Sequence, residues 1–460
     1  MSRFSHALFV CAALVAHGCF AALSASGVPL EANAPSARAA PTPKGSLLVV
    51  SVDGLKPEYL GRADELGLSV PHLRELYATS LRASVRGVLL TSTYPSHTTL
   101  VTGVSPAEHG IMANQPFDPY QRQPFRWFWY AEDMRVPALW DVAAAAGHTV
   151  AAVSWPVTVG AKSIRYNIPD FTGTRSDDDA KMIRAWAGPE FMDQLAAQAG
   201  PFLTDAALGT TRDWCRTRYL IAIIENYRPT VVFGHFVGAD TAQHKHGPFT
   251  SEAHAALEEI DVMIGQLVAT MRRHYPQLAV CIVSDHGFSK VEHGFALDTA
   301  LARAGFKLPV ATTVTAAALS EWEVAVWSSG GSAAVILRGR DDALGARVRK
   351  ALHELAENPT HGIARVLERD EIAALGGSPE ADFWVTMRPG HRISPARAGR
   401  ITFPEVPNGT HGYAPTMPEM NSTFLLTYPG VTPRDLGEID MRTIAPMLAE
   451  LLGPSWFDAK

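Results

Sequence analysis

The chain has 460 residues, of which 47% are hydrophobic and 19% are charged, and its formal net charge is −6. These values are typical of a globular protein and exclude a disordered or membrane-embedded chain. The sequence contains no block of lysines and arginines, so it predicts no nucleic-acid-binding surface. The length accommodates one large α/β domain with an inserted part.

The N-terminal segment, residues 1–25, has the pattern of a secretory signal. Arg3 and His6 precede a mostly apolar stretch over residues 7–25, and the small residues around 24–26 suit a cleavage site. A membrane anchor and a lipid-modified Cys19 are alternative interpretations of this segment. Residues 26–45 are rich in Ala and Pro and are predicted to form a linker. We therefore expect an exported protein, either periplasmic or secreted.

Alternating strand and helix patterns run through residues 46–307. Apolar runs predict buried strands, and apolar residues at helical spacing predict helices. The predicted strands are residues 47–52, 148–154, 231–237 and 278–284, and the predicted helices are residues 138–147 and 251–273. This alternation indicates an α/β fold with a doubly wound, mostly parallel sheet.

The pattern changes over residues 308–401. Short predicted strands and one predicted helix indicate a small α+β insertion; the strands are residues 324–327, 333–337 and 383–386, and the helix is residues 341–356. Residues 402–460 return to the main domain and end with a predicted helix over 444–452.

Three of the predicted core strands lead into an aspartate. Asp53, Asp240 and Asp285 follow them, and His244 and His286 lie close by in sequence. Ligands of open α/β sheets bind beyond the carboxyl ends of the strands, so we expect these carboxylates to converge. A bound cation would relieve their mutual repulsion, and mixed carboxylate and imidazole ligands suit zinc or a similar divalent ion. The sequence therefore predicts a metal enzyme.

The segment over residues 93–103 carries a candidate nucleophile. Pro95 suits the first turn of a helix that ends at Gly103, which puts Thr93 just before the helix N-terminus. Free backbone N–H groups at that position favour an anion, and a hydroxyl beside a metal ion is activated for attack. Alternatively, Thr93 is only the cap of this helix.

Six motifs occur in a fixed order along the chain. They are VSVDGL at 50–55, TYPSHTTLVTG at 93–103, PAEHGI at 106–111, DTAQH at 240–244, SDHG at 284–287 and THGY at 410–413. In this order and spacing they resemble the nucleotide pyrophosphatase/phosphodiesterase family of the alkaline phosphatase superfamily. The resemblance covers residues 47–306 and the stretch from 403 onwards, and it implies an alkaline phosphatase-like fold, two zinc ions and a threonine nucleophile.

The resemblance also implies a role for each matching residue. One zinc would be held by Asp53, Thr93, Asp285 and His286, the other by Asp240, His244 and His411, and Asn114 would donate a hydrogen bond to a phosphoryl oxygen. His293 precedes a glycine as His411 does, and we favour His411 because Gly-Tyr follows it.

Substrate binding departs from the family pattern. Members that act on nucleotides hold the base between an aromatic residue after the nucleophile and a tyrosine five residues before the Asp-x-x-x-His aspartate. Tyr94 supplies the first ring, but His235 stands at the second position, which puts nucleotide preference in doubt. We expect a small phosphate ester or nucleotide-like substrate.

The leading hypothesis is an exported, zinc-dependent phosphodiesterase or nucleotide pyrophosphatase. A phosphomonoesterase or phosphonate hydrolase of the same superfamily is the first alternative, because its metal site would look the same. A degenerate protein that only binds metal or a partner is the second.

Overall fold

The computed structural model describes residues 45–453, except for residues 124, 174–175, 205–208, 310–320 and 396–398. The predicted signal segment 1–25 and all but the last residue of the predicted linker lie outside the described residues. Within the described part of the chain, no helix combines the length and the hydropathy that crossing a bilayer requires.

The strands and helices alternate through the first two thirds of the chain. The strands are β1 (Ser46–Val52), β2 (Leu81–Arg86), β3 (Val150–Val153), β4 (Tyr166–Ile168), β5 (Val231–Phe236), β6 (Leu278–Val283), β7 (Ser289–Phe295), β8 (Val324–Ser329), β9 (Ser332–Leu337), β10 (Ile363–Glu368), β11 (Phe383–Met387), β12 (Gly390–Ile393), β13 (Thr402–Thr410), β14 (Ser422–Thr427) and β15 (Arg434–Asp440). The helices are α1 (Pro57–Gly61), α2 (Ala63–Leu66), α3 (Pro71–Thr79), α4 (Thr93–Thr102), α5 (Pro106–His109), α6 (Leu139–Ala145), α7 (Ser176–Ala187), α8 (Pro189–Ala199), α9 (Thr210–Tyr227), α10 (Gly238–His246), α11 (Ser251–His274), α12 (Leu297–Arg303), α13 (Asp342–Glu357), α14 (Arg369–Ala374) and α15 (Ile444–Leu452).

An eight-stranded sheet forms the centre of the molecule, in the order β15-β2-β14-β6-β1-β5-β3-β4. Strand β14 runs antiparallel to both of its neighbours, and the other pairings are parallel. Strands β6, β1 and β5 are adjacent, with β1 in the middle. The predicted doubly wound, mostly parallel α/β fold is confirmed.

Helices cover both faces of this sheet, which explains why its central strands are apolar throughout. Side chains of β1 alternate between the faces: Leu48, Val50 and Val52 pack into one buried cluster, and Leu47 and Val49 pack into the other. The long helix α11 packs its apolar stripe against the first face. Both layers are completed by residues far apart in the chain.

Two smaller sheets lie beyond the main one. Strands β8–β11 form a four-stranded antiparallel sheet in the order β10-β11-β9-β8, within the predicted insertion over residues 308–401. Strands β12, β7 and β13 form a three-stranded sheet that the sequence did not predict. After β13, strands β14 and β15 join the main sheet, and α15 packs on its second face. Helix α15 is the final helix that the sequence predicted over residues 444–452.

Candidate metal and catalytic site

The carboxyl ends of three adjacent strands bring the predicted aspartates together. Asp53 directly follows β1, Asp285 follows β6 after one serine, and Asp240 lies in the first turn of α10, just after β5. The register aligns Val52 with Phe236 and Ser51 with Val283, so the three strands end at one level. The chain therefore gathers these carboxylates by sheet topology rather than by closeness in sequence.

Asp53, Asp285 and His286 form one buried group with ligand atoms within 4.8 Å of one another. His286 Nε2 lies 3.1 Å from Asp285 Oδ2 and 3.5 Å from Asp53 Oδ1. These three residues are the side chains other than Thr93 that the resemblance assigns to one zinc.

Asp240, His244 and His411 form a second group beside the first. His244 Nε2 lies 3.4 Å from Asp240 Oδ1, and His411 Nε2 lies 4.0 Å from the same oxygen. His286 also comes within reach of Asp240 and His411, so it borders both groups. His293, the rival of His411, lies in β7 on the exposed surface and stacks on His391 instead.

The three imidazoles share one hydrogen-bonding arrangement. The Nδ1 atoms of His244, His286 and His411 lie 3.1–3.2 Å from the carbonyl oxygens of Gly409, Gly287 and Thr91, respectively. A carbonyl only accepts, so each Nδ1 carries the proton and each Nε2 presents a lone pair to the carboxylates. Metal-binding histidines are held in one tautomer in this way.

Burial and crowding perturb the titration of these groups. Burial raises the pKa of Asp53 well above its ordinary value, and the Asp285 and Asp240 carboxylates raise it further. Burial also lowers the pKa of His286 and His411 well below the ordinary value, and each is lowered further by a neighbouring histidine. The imidazoles of His286 and His411 are therefore neutral near pH 7, as metal ligation requires.

Several acceptor atoms of these two groups have no protein partner in the described part of the chain. Asp53 Oδ1, Asp240 Oδ1, Asp285 Oδ2 and His286 Nε2 are buried without a hydrogen-bond partner among the described residues. Unpartnered buried acceptors of this kind are costly, and a divalent ion satisfies them together. The residues present therefore fit a metal centre.

Thr93 is the first residue of helix α4. The residue that precedes it, Ser92, is the N-cap, and Gly103 ends the helix with φ of 65°. From Tyr94 to Thr102 every residue of α4 is buried, whereas Thr93 is half-buried. Because Ser92 holds the cap position, the alternative role of Thr93 as the cap is wrong.

Two contacts connect the Thr93 segment to the two acidic groups: a hydrogen bond from His411 and a close approach of His97 to Asp285. His97 Nδ1 lies 2.8 Å from the Thr93 carbonyl oxygen and 3.7 Å from Asp285 Oδ2. Two residues before Thr93, the Thr91 carbonyl accepts from His411 Nδ1 at 3.1 Å. The helix N-terminus that carries the candidate nucleophile is therefore in contact with one residue of each ligand set, Asp285 and His411.

Asn114 contacts the same helix start. Its Oδ1 atom accepts from the Tyr94 backbone N–H at 2.9 Å and from the Ser92 hydroxyl at 3.1 Å. These two donors fix the orientation of the amide, so Nδ2 carries the hydrogens. Asn114 also lines a cavity of about 780 Å³, whose lining includes none of the acidic groups' residues.

The two residues that were predicted to stack on a base are both buried. Tyr94 is 1% exposed, its hydroxyl donates to Asp170 Oδ2 at 2.8 Å, and its ring packs edge-to-face with Trp127. His235 is 2% exposed and packs edge-to-face with the ring of His97. Neither ring offers a free face to a substrate, so the predicted stacking role of Tyr94 and His235 does not fit this structure.

His235 instead lies directly behind a candidate metal ligand. Its Nε2 atom is 3.2 Å from Asp53 Oδ2, and its Nδ1 donates to the Ser154 carbonyl oxygen at 3.1 Å. With the proton on Nδ1, Nε2 and the carboxylate oxygen both act as acceptors. The contact is a hydrogen bond when Asp53 carries a proton, which agrees with the raised pKa of this carboxyl group.

Sequence reasoning missed a buried charge pair on α9 that supports the site. Arg216 donates to the His235 carbonyl at 3.0 Å and lies 3.4 Å from Asp213 Oδ1. The Asp213 carboxylate accepts from the backbone N–H groups of Val237 and Gly238, where α10 begins. The signal in the sequence was an Asp and an Arg three positions apart in a helix whose other buried residues are mostly apolar.

The inserted sheet contacts the loop that carries His411. The Gly331 N–H, in the β8–β9 hairpin, donates to the His411 carbonyl at 2.8 Å. A Cβ at Gly412 would lie 2.3 Å from the Ser329 carbonyl oxygen, and Gly412 has φ of 84°. Only glycine allows so close an approach, which explains the Gly after His411.

Comparisons with known proteins identify the family of this chain. The family model described as type I phosphodiesterase/nucleotide pyrophosphatase matches residues 47–414. A bis(5′-adenosyl)-triphosphatase of Bos taurus is 28% identical over 58% of this chain and 51% of its own length. An uncharacterized pyrophosphatase/phosphodiesterase of Schizosaccharomyces pombe is 25% identical over 54% of this chain and 45% of its own length. The chain thus spans about half the length of these relatives.

Solved structures show the same fold. Murine ectonucleotide pyrophosphatase/phosphodiesterase 5 superposes with a TM-score of 0.60 at 19% identity, covering 88% of this chain and 95% of the other. An inactive form of the murine protein in complex with AMP gives 0.59, covering 89% of this chain and 95% of the other. Because the family model matches most of the sequence, the chain belongs to the type I phosphodiesterase/nucleotide pyrophosphatase family.

Proposed function

We propose that the chain is a metal-dependent hydrolase of phosphodiester or phosphoanhydride bonds that acts through Thr93. One observation carries this proposal. Two sets of carboxylate and imidazole ligands, with unpartnered acceptor atoms, lie beside a half-buried threonine at a helix N-terminus. The family membership and the relatives' names support the same activity class.

Zinc is the proposed metal, with two ions per chain. Asp53, Asp285 and His286 would hold one ion together with Thr93, and Asp240, His244 and His411 would hold the other. Bound ions would supply Lewis-acid stabilisation of the charge on the reacting oxygens. The mixture of oxygen and imidazole nitrogen donors supports zinc over magnesium or calcium, which prefer oxygen alone.

The chain's own groups account for the remaining steps. The Thr93 oxygen attacks phosphorus, the bond to the leaving oxygen breaks, and a phosphoester forms on Thr93 that water later cleaves. The Asn114 Nδ2 group would donate to a phosphoryl oxygen as charge builds there. The N–H groups and dipole at the start of α4 favour the same negative charge.

Phosphodiesters are the proposed substrates rather than phosphomonoesters. A monoester dianion brings one more charge and needs an added cationic partner. The cavity at Asn114 has Arg126 as its one cationic lining residue among the described residues, opposed by Asp118 and Asp298. The exposed Lys162, Arg165 and Lys245 are hydrogen-bonded to no described residue of the metal groups. That a murine relative was solved with AMP supports a nucleotide-like substrate.

The test is a rate comparison on two substrates with the same leaving group, p-nitrophenyl phosphate and methyl p-nitrophenyl phosphate. We expect the zinc-loaded protein to have the higher kcat/KM for the diester. A higher value for the monoester would favour the phosphomonoesterase alternative. Absence of turnover on either substrate by folded, zinc-loaded protein would favour the degenerate alternative.

Thr93→Ala tests the nucleophile, and Thr102→Ala at the far end of α4 is its control. We expect Thr93→Ala to abolish turnover while the protein stays folded and retains most of its metal. Thr102→Ala removes a hydroxyl that bonds only to the Thr98 carbonyl, so the loss should be confined to stability. Retained activity in folded Thr93→Ala would contradict the proposal.

Export to the periplasm or the outside is proposed from the N-terminal sequence alone. Fractionation of the expressing cells, with N-terminal sequencing of the product, tests it. We expect a processed N-terminus close to residue 25.

A further inference from the structure

The cavity at Asn114 lies between the core and the inserted sheet. It has a volume of about 780 Å³, and its walls come from the loop residues 113–123 and 126–127, from helix α12 and from strand β8. Asn114 lines it on the core side, and Ser328 and Ser329 line it on the insertion side. We propose that this cavity, called here the insertion cleft, binds one substituent of the phosphorus, an uncharged planar ring; this rests on the proposed function.

The insertion cleft borders the segment that carries Thr93. Asn114, which lines the cleft, holds the start of α4 through Tyr94 and Ser92, next to Thr93. On the opposite side, Ser329 ends β8 at the hairpin whose backbone contacts the His411 loop. One substituent of a phosphorus atom bound at Thr93 would extend past Asn114 into the cleft.

Aromatic rings line the cleft from both sides. Phe117 and Trp127 come from the core loop, and Trp327 comes from β8 of the insertion. Phe117 and Trp327 lie 5.7 Å apart at an angle of 45°, and each is partly exposed. Partly exposed rings that converge on a cavity provide the surfaces on which a planar group stacks.

The position of Phe117 is fixed by its neighbours. Trp322 packs edge-to-face against it at 6.5 Å, and the Trp322 Nε1–H donates to the Tyr120 hydroxyl at 3.1 Å. Tyr120 belongs to the same core loop as Phe117, so the loop and the insertion are joined by both a ring contact and a hydrogen bond. The surface formed by the Phe117 and Trp327 rings, called here the platform, is held from both sides, so it loses little conformational entropy when a ring binds to it.

Charge and polarity define which ring the cleft accepts. Asp118 and Asp298 line it, and each carboxylate accepts from a backbone N–H. Arg126 is turned partly away, with Nη2 3.9 Å from Asp133 Oδ1. The lining therefore carries a net negative charge, which disfavours a substituent bearing further phosphates or a carboxylate. Three glutamine side chains in the lining, Gln115, Gln121 and Gln123, offer hydrogen bonds to the ring edge.

The experiment measures binding by calorimetry to the zinc-loaded protein, with methylphosphonate, phenylphosphonate and 4-carboxyphenylphosphonate as probes. The three carry the same phosphonate group and differ in one substituent. We expect phenylphosphonate to bind about tenfold tighter than methylphosphonate, and the added carboxylate to cancel most of that gain.

Variants of the platform residues test whether the higher affinity for phenylphosphonate arises in the cleft. Trp327→Ala and Phe117→Ala should each reduce the phenyl-to-methyl affinity ratio severalfold, while Trp327→Phe should keep most of it. Trp186→Ala, a partly exposed tryptophan outside the cleft lining, is the matched control and should leave the ratio unchanged. The ratio is insensitive to a shift of the His411 loop, because such a shift weakens both probes together.

Two results would overturn the inference. One is a wild-type protein that binds phenylphosphonate no tighter than methylphosphonate. The other is a full phenyl preference in Trp327→Ala, which would put the ring elsewhere. Because these are binding measurements, they separate this inference from the proposed function, whose failure would show as absent diester hydrolysis.

Discussion

The imidazole rings of His286 and His411 are stacked, with centroids 3.7 Å apart and 12° between the ring planes. Burial lowers the pKa of both residues, so both rings are neutral near pH 7 and stack without charge repulsion. His286 directs Nε2 to Asp285, and His411 directs Nε2 towards Asp240. The stack is therefore the contact at which the two ligand sets meet.

The first prediction follows from these two sets. Protein prepared without chelator should contain about two equivalents of a divalent ion by elemental analysis, because the ligand side chains exceed those of one tetrahedral site. Asp53→Ala and His411→Ala should each lose about one equivalent. His293→Ala, the exposed His-Gly rival, should retain both. One equivalent that survives loss of either ligand set would contradict the two-site assignment.

The second prediction concerns the contact between His235 and Asp53. His235→Phe keeps the ring volume but removes the nitrogen that accepts the Asp53 proton at 3.2 Å, so the protonated, metal-free form of Asp53 loses its hydrogen bond. Because zinc binds the ionised carboxylate, zinc affinity of the site that contains Asp53 should rise, by about tenfold for the loss of one such hydrogen bond. Competition with a fluorescent chelator measures this change.

A second buried histidine provides the control for His235. His148 bonds to Thr230 and to the Leu452 carbonyl, remote from the acidic groups, so His148→Gln should leave zinc affinity unaltered. Zinc affinity in His235→Phe equal to or below that of the wild type would show that the contact with Asp53 does not oppose metal binding.

The third prediction links metal binding to pH. Burial and two neighbouring carboxylates raise the pKa of Asp53, and burial raises that of Asp240, so the metal-free site retains protons above the ordinary range of a carboxyl group. A divalent ion displaces those protons; affinity is therefore greatest above the raised pKa values and falls as the pH falls through them.

Calorimetry in two buffers of different ionisation enthalpy checks this proton release. At a pH between the ordinary and the raised pKa values of these carboxyl groups, the observed enthalpy of zinc binding should depend on the buffer, and affinity should decrease as the pH falls through the raised values. An enthalpy independent of the buffer would mean that the site is already deprotonated without metal.

The fourth prediction separates the two functions of Asn114. Asn114→Asp keeps the oxygen that accepts from Ser92 and Tyr94 but removes the Nδ2 donor. The variant should fold with near-normal stability and lose about 10²- to 10³-fold in kcat, the usual cost of one donor to a developing oxyanion. Asn114→Ala should also lose stability, because the Tyr94 N–H is left without its acceptor. Normal kcat in Asn114→Asp would exclude the donor role.

The strands of the site were predictable from local sequence. Strands β1, β5 and β6 are buried on both faces, so most of their side chains must be apolar. The sequence therefore shows mostly apolar runs at residues 47–52, 231–237 and 278–284, which made these strands recognisable. The helix beginning near Thr93 was predicted from Pro95 and Gly103, but it starts earlier and Ser92 takes the cap position.

The contacts between distant segments were not predictable in the same way. The burial of Tyr94 depends on Asp170, and the position of His235 behind Asp53 depends on Ser154 and on Arg216 of α9. Strand β7 has exposed charged residues between its buried ones, so it contains no apolar run by which it could be recognised. Its partner strands lie later in the chain, so the three-stranded sheet could not be predicted from local sequence. Asn114 and His411 were found through the resemblance to a family, since neither lies in a distinctive local pattern.

The central claim, that Thr93 forms a covalent phosphoester, makes the fifth prediction. A double displacement inverts phosphorus twice, whereas direct attack by water inverts it once. Hydrolysis of a phosphorothioate diester of known configuration in ¹⁸O-labelled water therefore distinguishes the two routes. A covalent Thr93 phosphoester predicts net retention of configuration at phosphorus; net inversion would contradict a Thr93 nucleophile.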